Sequence, residues 1–158
     1  MNFPMLAING ALALLPSKMT TRAARVQLLA IGAQESEDWQ YRRQKGNGPA
    51  RGFWQFEKNG GVKGVMEHPL KTVRDLAQQV CAARNTPWDR EVIWSNLERD
   101  DVLAAAFARL NLYGDPFPLP AVGDAAEAWD LYVRVWRPGK PHPDAWQARY
   151  DAAVQACS

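Results

Sequence analysis

The sequence predicts a single all-α domain that spans residues 1–158. Apolar residues recur at spacings of three and four along most of the chain, whereas the alternation that is typical of strands is weak throughout. The chain has 158 residues, 47% of them hydrophobic and 23% charged, which is enough for one sound core and too little for a second domain. Stretches rich in glycine and proline interrupt the helical pattern, and we expect them to be connectors within one fold: residues 46–52, 59–61, 114–123 and 137–143.

The first predicted element is an apolar stretch from Phe3 to Leu15. It has no positively charged region before it, it is interrupted by Pro4 and Asn9, and it is too short to span a bilayer. We therefore expect a packed first helix here, with no recognisable signal peptide and no membrane insertion.

The second predicted helix runs from Thr21 to Glu35. Ala24, Leu28, Ile31 and Glu35 follow one another at spacings of four, three and four, which places them on one helical face. Thr20 or Thr21 is a suitable N-cap, and no proline interrupts residues 22–34. Glu35 therefore extends an apolar stripe at the negative end of the helix dipole. Desolvation and the field of the dipole are both expected to raise the pKa of its carboxyl group. The alternative is that Glu35 turns outward as the helix frays and is solvated.

Five further helices are predicted, at residues 69–84, 89–98, 101–113, 124–136 and 144–156. Asp100 or Asp101 can cap the helix at 101–113, and Asp124 can cap the helix at 124–136. Pro143 followed by Asp144 marks the start of the last helix. We expect Trp129, Trp136 and Trp146 to pack in the core, because they lie in these amphipathic helices.

The helix-end glutamate is followed by a polar loop and an aromatic segment. Glu35-Ser36, and then Gly48-Pro49-Ala50-Arg51-Gly52-Phe53-Trp54-Gln55, resembles the lytic transglycosylase pattern of Glu-Ser, a variable loop and Gly-Ala-x-Gly-Leu-Met-Gln. The resemblance covers residues 20–57, and it implies a lysozyme-like fold in which Glu35 is the catalytic acid and a short irregular or β-like segment borders the cleft. This chain departs from the pattern at Pro49, and it carries Phe53-Trp54 in place of Leu-Met.

A later part of the family pattern, Ala-Ala-Tyr-Asn-Ala-Gly, has no convincing copy in this chain. The segment Ala104-Ala105-Ala106-Phe107-Ala108-Arg109 occupies a plausible place but lacks the tyrosine and the asparagine. The distal half of the site is therefore left without assigned residues.

The residues around the motif can be given physical roles as a substrate-binding set. Gly52 permits a close backbone approach that a side chain would block, and the Gln55 amide offers donors and acceptors to an amino sugar. Phe53 or Trp54 is expected to face a sugar, and the other to pack in the core, because neighbouring positions of an extended segment point to opposite sides. Ser36 is expected to cap the helix or to steady the Glu35 carboxyl, and Trp39 is a further candidate for the cleft.

Glycosidases commonly use two carboxylates. Glu37, Asp38 and Glu57 are the nearest candidates for a second one, and Glu57 would point to the same side as Gln55 in an extended segment. None is compelling from the sequence. A lytic transglycosylase does not need one, so the resemblance favours a non-hydrolytic cleavage that gives a 1,6-anhydro product, with a water-using muramidase as the alternative.

Other chemistries receive little support. His68 and His142 do not stand at metal-ligand spacing, so we expect no metal site and no cofactor. The basic run Arg42-Arg43-Gln44-Lys45, with Arg51, is interpreted as a solvated loop or a contact for anionic wall polymers, because a net charge of +2 does not favour nucleic acid. Cys81 and Cys157 do not define a disulfide framework.

The function expected from the resemblance is peptidoglycan cleavage between N-acetylmuramic acid and N-acetylglucosamine. Domains of this kind resemble those of bacteriophage virions or prophage endolysins, so the expected partners are peptidoglycan glycan strands and other phage virion proteins, and the expected location is the virion or the host periplasm and cell wall. The segment Arg134 to His142 is either a contact for the polymer or a rigid connector. The alternative function is a non-catalytic virion-structural or wall-binding module on the same scaffold.

Overall fold

The computed structural model describes residues 3–158 and is mostly helical. The helices of this part of the chain are α1 Phe3–Ala13, α2 Arg22–Glu35, α3 Lys63–Met66, α4 Lys71–Ala83, α5 Arg90–Leu97, α6 Asp101–Tyr113, α7 Ala125–Trp136 and α8 Trp146–Ala156. Two short strands, β1 Ala50–Arg51 and β2 Phe56–Glu57, pair antiparallel with Ala50 opposite Glu57. The all-α class is confirmed at this level, and all seven predicted helices are present; the short α3 was not predicted.

Side-chain caps explain where several helices begin. The Thr21 hydroxyl accepts a hydrogen bond from the backbone N–H of Ala24 at 3.0 Å, and Asp100 and Asp124 accept from the third residue after each of them. Each cap satisfies one of the N–H groups that a helix leaves free in its first turn. The N-terminal boundaries of α2, α6 and α7 were therefore readable from the sequence.

The core is one continuous cluster of buried apolar residues. Its centre is α6, which packs against α1, α2 and α4. The run Ala104 to Ala108 is at most 4% exposed at each position; its four alanines let the neighbouring helices approach closely, and Phe107 fills the core. The segment with the composition of the missing family motif is thus core, and it does not reach the surface.

Helix α2 is buried over most of its circumference, since every residue from 26 to 34 is buried. It packs against α8 and α1. Gly32 is needed on one side, because a Cβ atom there would lie 2.3 Å from Cη2 of Trp39. This packing holds the C-terminal end of α2, and with it Glu35, in a fixed position.

Within residues 3–158, no helix combines the length and the apolar composition that a membrane span requires.

Candidate active site

A cleft of about 810 Å³ lies beside the C-terminal end of α2. Its lining comes from two separate parts of the chain. We call the part from residues 34–57 the N-terminal wall, which includes Glu35, Gln55 and Glu57. We call the part from residues 132–149 the C-terminal wall, which includes Tyr132, Trp136 and the loop 137–142.

Glu35 is the last residue of α2 and lines the cleft. Its Oε1 accepts a hydrogen bond from the Tyr132 hydroxyl at 2.6 Å. Burial raises the pKa of the Glu35 carboxyl from 4.5 to about 7, although the hydrogen bond from Tyr132 acts in the opposite direction. The expected rise in pKa is confirmed, and the alternative of a frayed helix end with a solvated carboxylate is not observed. The carboxyl group can therefore hold or release a proton near neutral pH.

Tyr132 reaches Glu35 from α7, and sequence reasoning missed it. The residue is 2% exposed, and its ring is stacked on Trp146 at 5.4 Å between centroids with an angle of 4° between the planes. Trp129 also packs against it at 5.4 Å. Burial and the neighbouring Glu35 raise the pKa of the Tyr132 hydroxyl, so it stays a proton donor at neutral pH. The aromatic packing thus fixes the direction from which Glu35 receives its hydrogen bond.

The turn at residues 52–55 positions Gln55. Gly52 has φ +78°, and a Cβ atom on it would lie 2.9 Å from the carbonyl oxygen of Leu97, so the close approach expected of this glycine is confirmed. Gln55 lines the cleft, and its Nε2 donates to the carbonyl oxygens of Gly52 at 2.9 Å and Arg42 at 3.0 Å. Both N–H groups of the amide are therefore used within the protein. The Oε1 atom is the group that Gln55 presents to a ligand, an acceptor for a hydroxyl or N-acetyl N–H.

The expected sugar platform at Phe53 or Trp54 is wrong. Both residues are in the core, at 2% and 1% exposure. Trp54 Nε1 donates to the carbonyl oxygen of Leu28 at 2.9 Å, and Phe53 packs edge-on against Trp39 at 5.2 Å. The reason is that the segment forms a tight turn and is not extended, so the two side chains do not alternate between the cleft and the core.

Three other predicted binding residues also serve the structure rather than the cleft. Trp39 packs against Phe53 and Trp54 and does not line the cleft. The buried Ser36 hydroxyl donates to the Gly32 carbonyl at 2.6 Å and accepts from the Trp39 N–H at 2.8 Å, so it caps α2 and does not touch the Glu35 carboxyl. Gly52 acts only through its backbone.

Tyr41 and Tyr132 line the cleft, and the tryptophan that lines it is Trp136. It lines the C-terminal wall, its ring packs on Phe56 at 5.9 Å, and its Nε1 donates to the carbonyl oxygen of Trp54 at 2.9 Å. We expected Trp136 to be a core residue; it packs against the core and also borders the cleft. The neighbouring loop 137–142, expected to be either a polymer contact or a rigid connector, lines the cleft too.

Carboxylates other than Glu35 occupy both walls. Glu57 lines the cleft and is exposed, as expected from its position beside Gln55. Glu37 lines it as well and is paired with Lys45, whereas Asp38 is outside the cleft and is paired with Arg149 at 3.0 Å. Asp144 lies on the C-terminal wall; the sequence predicted it only as the start of the last helix and not as a carboxylate of the cleft.

The basic run of the connecting loop is mostly paired within the protein. Arg42 binds Asp101 at 2.8 Å, and Arg43 binds Glu98 at 3.0 Å. Arg51, which is 8% exposed, lies 3.7 Å from the same Glu98 and over the ring of Trp94. These ion pairs attach the loop to α5 and α6. Arg43 and Lys45 are exposed, as expected of a solvated loop, whereas Arg51 is buried.

Within residues 3–158, no group of three or more His, Cys, Asp or Glu side chains is arranged to hold a metal ion. Cys81 is buried, and neither it nor Cys157 forms a disulfide.

No protein-family model, curated protein or solved structure matches this chain.

Proposed function

We propose that this chain is a lysozyme-like enzyme that cleaves the β-1,4 bond between N-acetylmuramic acid and N-acetylglucosamine in peptidoglycan, with Glu35 as general acid and base. The observation that carries the proposal is the position of Glu35 in a cleft of about 810 Å³, with its pKa raised to about 7 and its Oε1 bonded to Tyr132. A general acid works best when its pKa lies near the working pH. The helical fold and the short hairpin beside the cleft agree with the lysozyme-like pattern that the motif resembles.

The chemistry requires one proton transfer in each direction. Protonated Glu35 gives its proton to the glycosidic oxygen as the bond from that oxygen to the anomeric carbon breaks. In a lytic transglycosylase, the 6-hydroxyl of the same sugar then attacks the anomeric carbon, and its proton goes to the Glu35 carboxylate. The atoms balance without water, the product carries a 1,6-anhydro ring, and Glu35 ends as it began.

The transglycosylase route is favoured by the resemblance of the motif, and the state of Glu35 suits it. A carboxyl group with a pKa of about 7 can give a proton and take one back at neutral pH. A muramidase would use a second carboxylate to activate water. Glu57 is the candidate for that role, because it lines the cleft and is exposed.

The direct test is the loss of turbidity of purified peptidoglycan with wild type and Glu35→Gln. We expect at least a hundredfold loss of rate in the variant, because proton transfer by a placed side chain is typically worth about 10²–10⁴-fold. Glu91→Gln is the matched control, since Glu91 is an exposed glutamate outside the cleft. Equal rates for wild type and Glu35→Gln would remove Glu35 from the mechanism.

Mass spectrometry of the released fragments distinguishes the two routes. If the enzyme is a transglycosylase, the fragments should carry anhydro ends and the Glu57→Gln variant should remain active. Hydrated reducing ends, lost in Glu57→Gln, would assign the muramidase route.

The proposed setting is a bacteriophage virion, where the enzyme would open the host wall beside other virion proteins; an endolysin produced at lysis is the alternative. The substrate is the glycan strand. The pairing of the loop arginines with acidic side chains supports a partner other than nucleic acid, because it leaves few free cations on that face.

A non-catalytic wall-binding or virion-structural module is the second candidate. It is favoured by one observation: the segment Ala104 to Arg109, in the place of the family's Tyr-Asn motif, is buried in α6 and contributes nothing to the cleft. Retention on insoluble wall material without release of soluble fragments would support this candidate over the enzyme.

A further inference from the structure

Two cations of the C-terminal wall stand without an anionic partner. Arg137 and Lys140 are exposed and line the cleft. Within residues 3–158, neither forms an ion pair, whereas Arg149 of the same wall is paired with Asp38. The arginines of the opposite loop are bound to Asp101 and Glu98. The unpaired positive charge of the cleft is therefore concentrated on the loop 137–142.

The loop that carries these cations is held in place by the protein. Gln34, the neighbour of Glu35, donates from Nε2 to the carbonyl oxygens of Pro141 at 2.9 Å and His142 at 3.0 Å. Its Oε1 accepts from Arg149 at 3.1 Å. Pro138 and Pro141 restrict the backbone further. A ligand that binds here does not have to order the loop, and this lowers the cost of binding.

Among the described residues that line the cleft, three carboxylates belong to the N-terminal wall and one, Asp144, belongs to the C-terminal wall. Glu57 belongs to the N-terminal wall, Glu37 is paired with Lys45, and Glu35 is largely neutral below pH 7 because burial raises its pKa. Asp144 follows the loop and borders the same cleft. An anionic group is thus attracted to the part of the C-terminal wall formed by Arg137 and Lys140, and is repelled from Glu57 and Asp144.

We propose that Arg137 and Lys140 form a subsite for the carboxylates that substitute the glycan: those of the stem peptide, or the lactyl carboxylate of a sugar that carries no peptide. This inference rests on the proposed function. The sugar backbone of the glycan is uncharged, so a pair of free cations beside it has an ionic partner only in these substituents. The arginine can bind a carboxylate through two parallel hydrogen bonds, and the lysine adds a mobile point charge. The subsite would make the enzyme prefer substituted glycan to a plain polymer of N-acetylglucosamine.

The test is the affinity of soluble peptide-bearing glycan fragments, measured by calorimetry with the full chain carrying Glu35→Gln so that the glycan stays intact. Each fragment is used in its native form and with its carboxylates converted to amides. We expect the native form to bind about five- to tenfold more tightly, the size given by two solvent-exposed charge pairs. In Arg137→Gln/Lys140→Gln the ratio of the two affinities is expected to fall to about one.

A control and a second variant make the result specific. Lys71→Gln/Arg99→Gln removes the same two charges from exposed positions outside the cleft, and it should keep the full ratio. Lys140→Gln alone leaves the left-handed backbone at Arg137 untouched and should lower the ratio about two- to threefold.

The outcomes separate the two proposals. If the protein binds both forms equally, or if the double variant keeps the full ratio, the carboxylate subsite is overturned while glycan binding stands. If neither form binds, and wild type does not cleave peptidoglycan, the proposed function fails and the subsite with it.

Discussion

The two walls of the cleft differ in how they are built and in what they supply. The N-terminal wall comes from residues 34–57, and it contributes Glu35 at a helix end and Gln55 at a tight turn. The C-terminal wall comes from residues 132–149, and it contributes the hydrogen bond of Tyr132, the ring of Trp136 and two free cations. One wall holds the carboxyl group that we propose as the general acid, and the other determines the surroundings of that group. The identity of this titratable side chain is thus set locally, whereas its pKa and orientation depend on residues distant in the sequence.

The largest expected effect concerns the cost of keeping Glu35 buried in the N-terminal wall. Its pKa rises from 4.5 to about 7 on folding, so the folded state binds the proton more tightly than the unfolded state. Proton binding by Glu35 therefore favours the folded state. Its contribution to stability is fully present below pH 4.5 and is lost as the pH rises through about 7. Glu35→Gln, which is always neutral, should therefore have a higher free energy of unfolding than wild type at pH 8.5, by about 2–3 kcal/mol.

Urea unfolding at pH 4.5 and 8.5 measures this difference. The exposed Glu57→Gln is the control on the same wall, and it should follow wild type at both values. Parallel pH dependence of Glu35→Gln and wild type would show that the carboxyl is not desolvated.

The next prediction compares the loss of stability when one glycine of each wall is replaced by alanine. Gly52→Ala places a Cβ atom 2.9 Å from the Leu97 carbonyl oxygen at a residue with φ +78°, and it should lower the free energy of unfolding by about 2 kcal/mol. Gly139→Ala, in the loop of the C-terminal wall, meets open space and should change it by less than about 0.5 kcal/mol. Chemical denaturation checks both. A similar loss in both variants would mean that the hairpin turn does not depend on Gly52.

Removal of one hydroxyl from the C-terminal wall tests whether this wall tunes the acid. Tyr132→Phe should lower kcat about tenfold, because Glu35 loses the partner that orients it. The hydrogen bond of Tyr132 lowers the pKa of Glu35, so the alkaline limb of the pH–rate profile should move to higher pH in the variant. Tyr150→Phe also removes a buried hydroxyl, which accepts from the Gly123 N–H, and should leave that limb in place. If the alkaline limb stays in place in Tyr132→Phe, the Tyr132 hydroxyl does not influence the pKa of Glu35.

The smallest expected effect concerns the link between the walls. Gln34→Leu removes the hydrogen bonds to Pro141 and His142 and should raise KM about three- to fivefold, with a smaller change in kcat, because the loop is then less ordered. Gln27→Leu is the control on the same helix, since Gln27 binds the Ala128 carbonyl of α7 and lies outside the cleft. Both variants should lose about 1–2 kcal/mol of stability. Equal KM values in the two would mean that Gln34 does not order the loop.

The helices were the most predictable part of the fold, because their signals are short-range. Thr21, Asp100 and Asp124 cap α2, α6 and α7 through residues three positions away. The four-residue α3 escaped prediction because it is too short for a periodic pattern. The predicted orientation of Phe53 and Trp54 was wrong for a different reason, because the prediction treated a turn as an extended segment. Only the contacts with Leu28 and Trp39 show that both side chains point into the core.

The candidate site was predictable in the same uneven way. Glu35, Gln55 and Glu57 follow from spacing and from the resemblance of the motif, and all three line the cleft. Tyr132 and Trp136 gave no comparable signal, because an aromatic residue in an amphipathic helix has the same pattern whether it fills the core or borders a cleft.

The sequence by itself determined the helical class, the capped start of α2 and the placing of a carboxyl group at its end, because each depends on residues within a few positions of one another. Only the tertiary structure decided that this group is enclosed, that Tyr132 donates to it and that Arg137 and Lys140 line the same cleft without an ion-pair partner. The physical reason is that desolvation and charge pairing depend on which surfaces meet in space, and the α7–α8 region meets the end of α2 through long-range contacts such as those of Gln34 with Pro141 and His142.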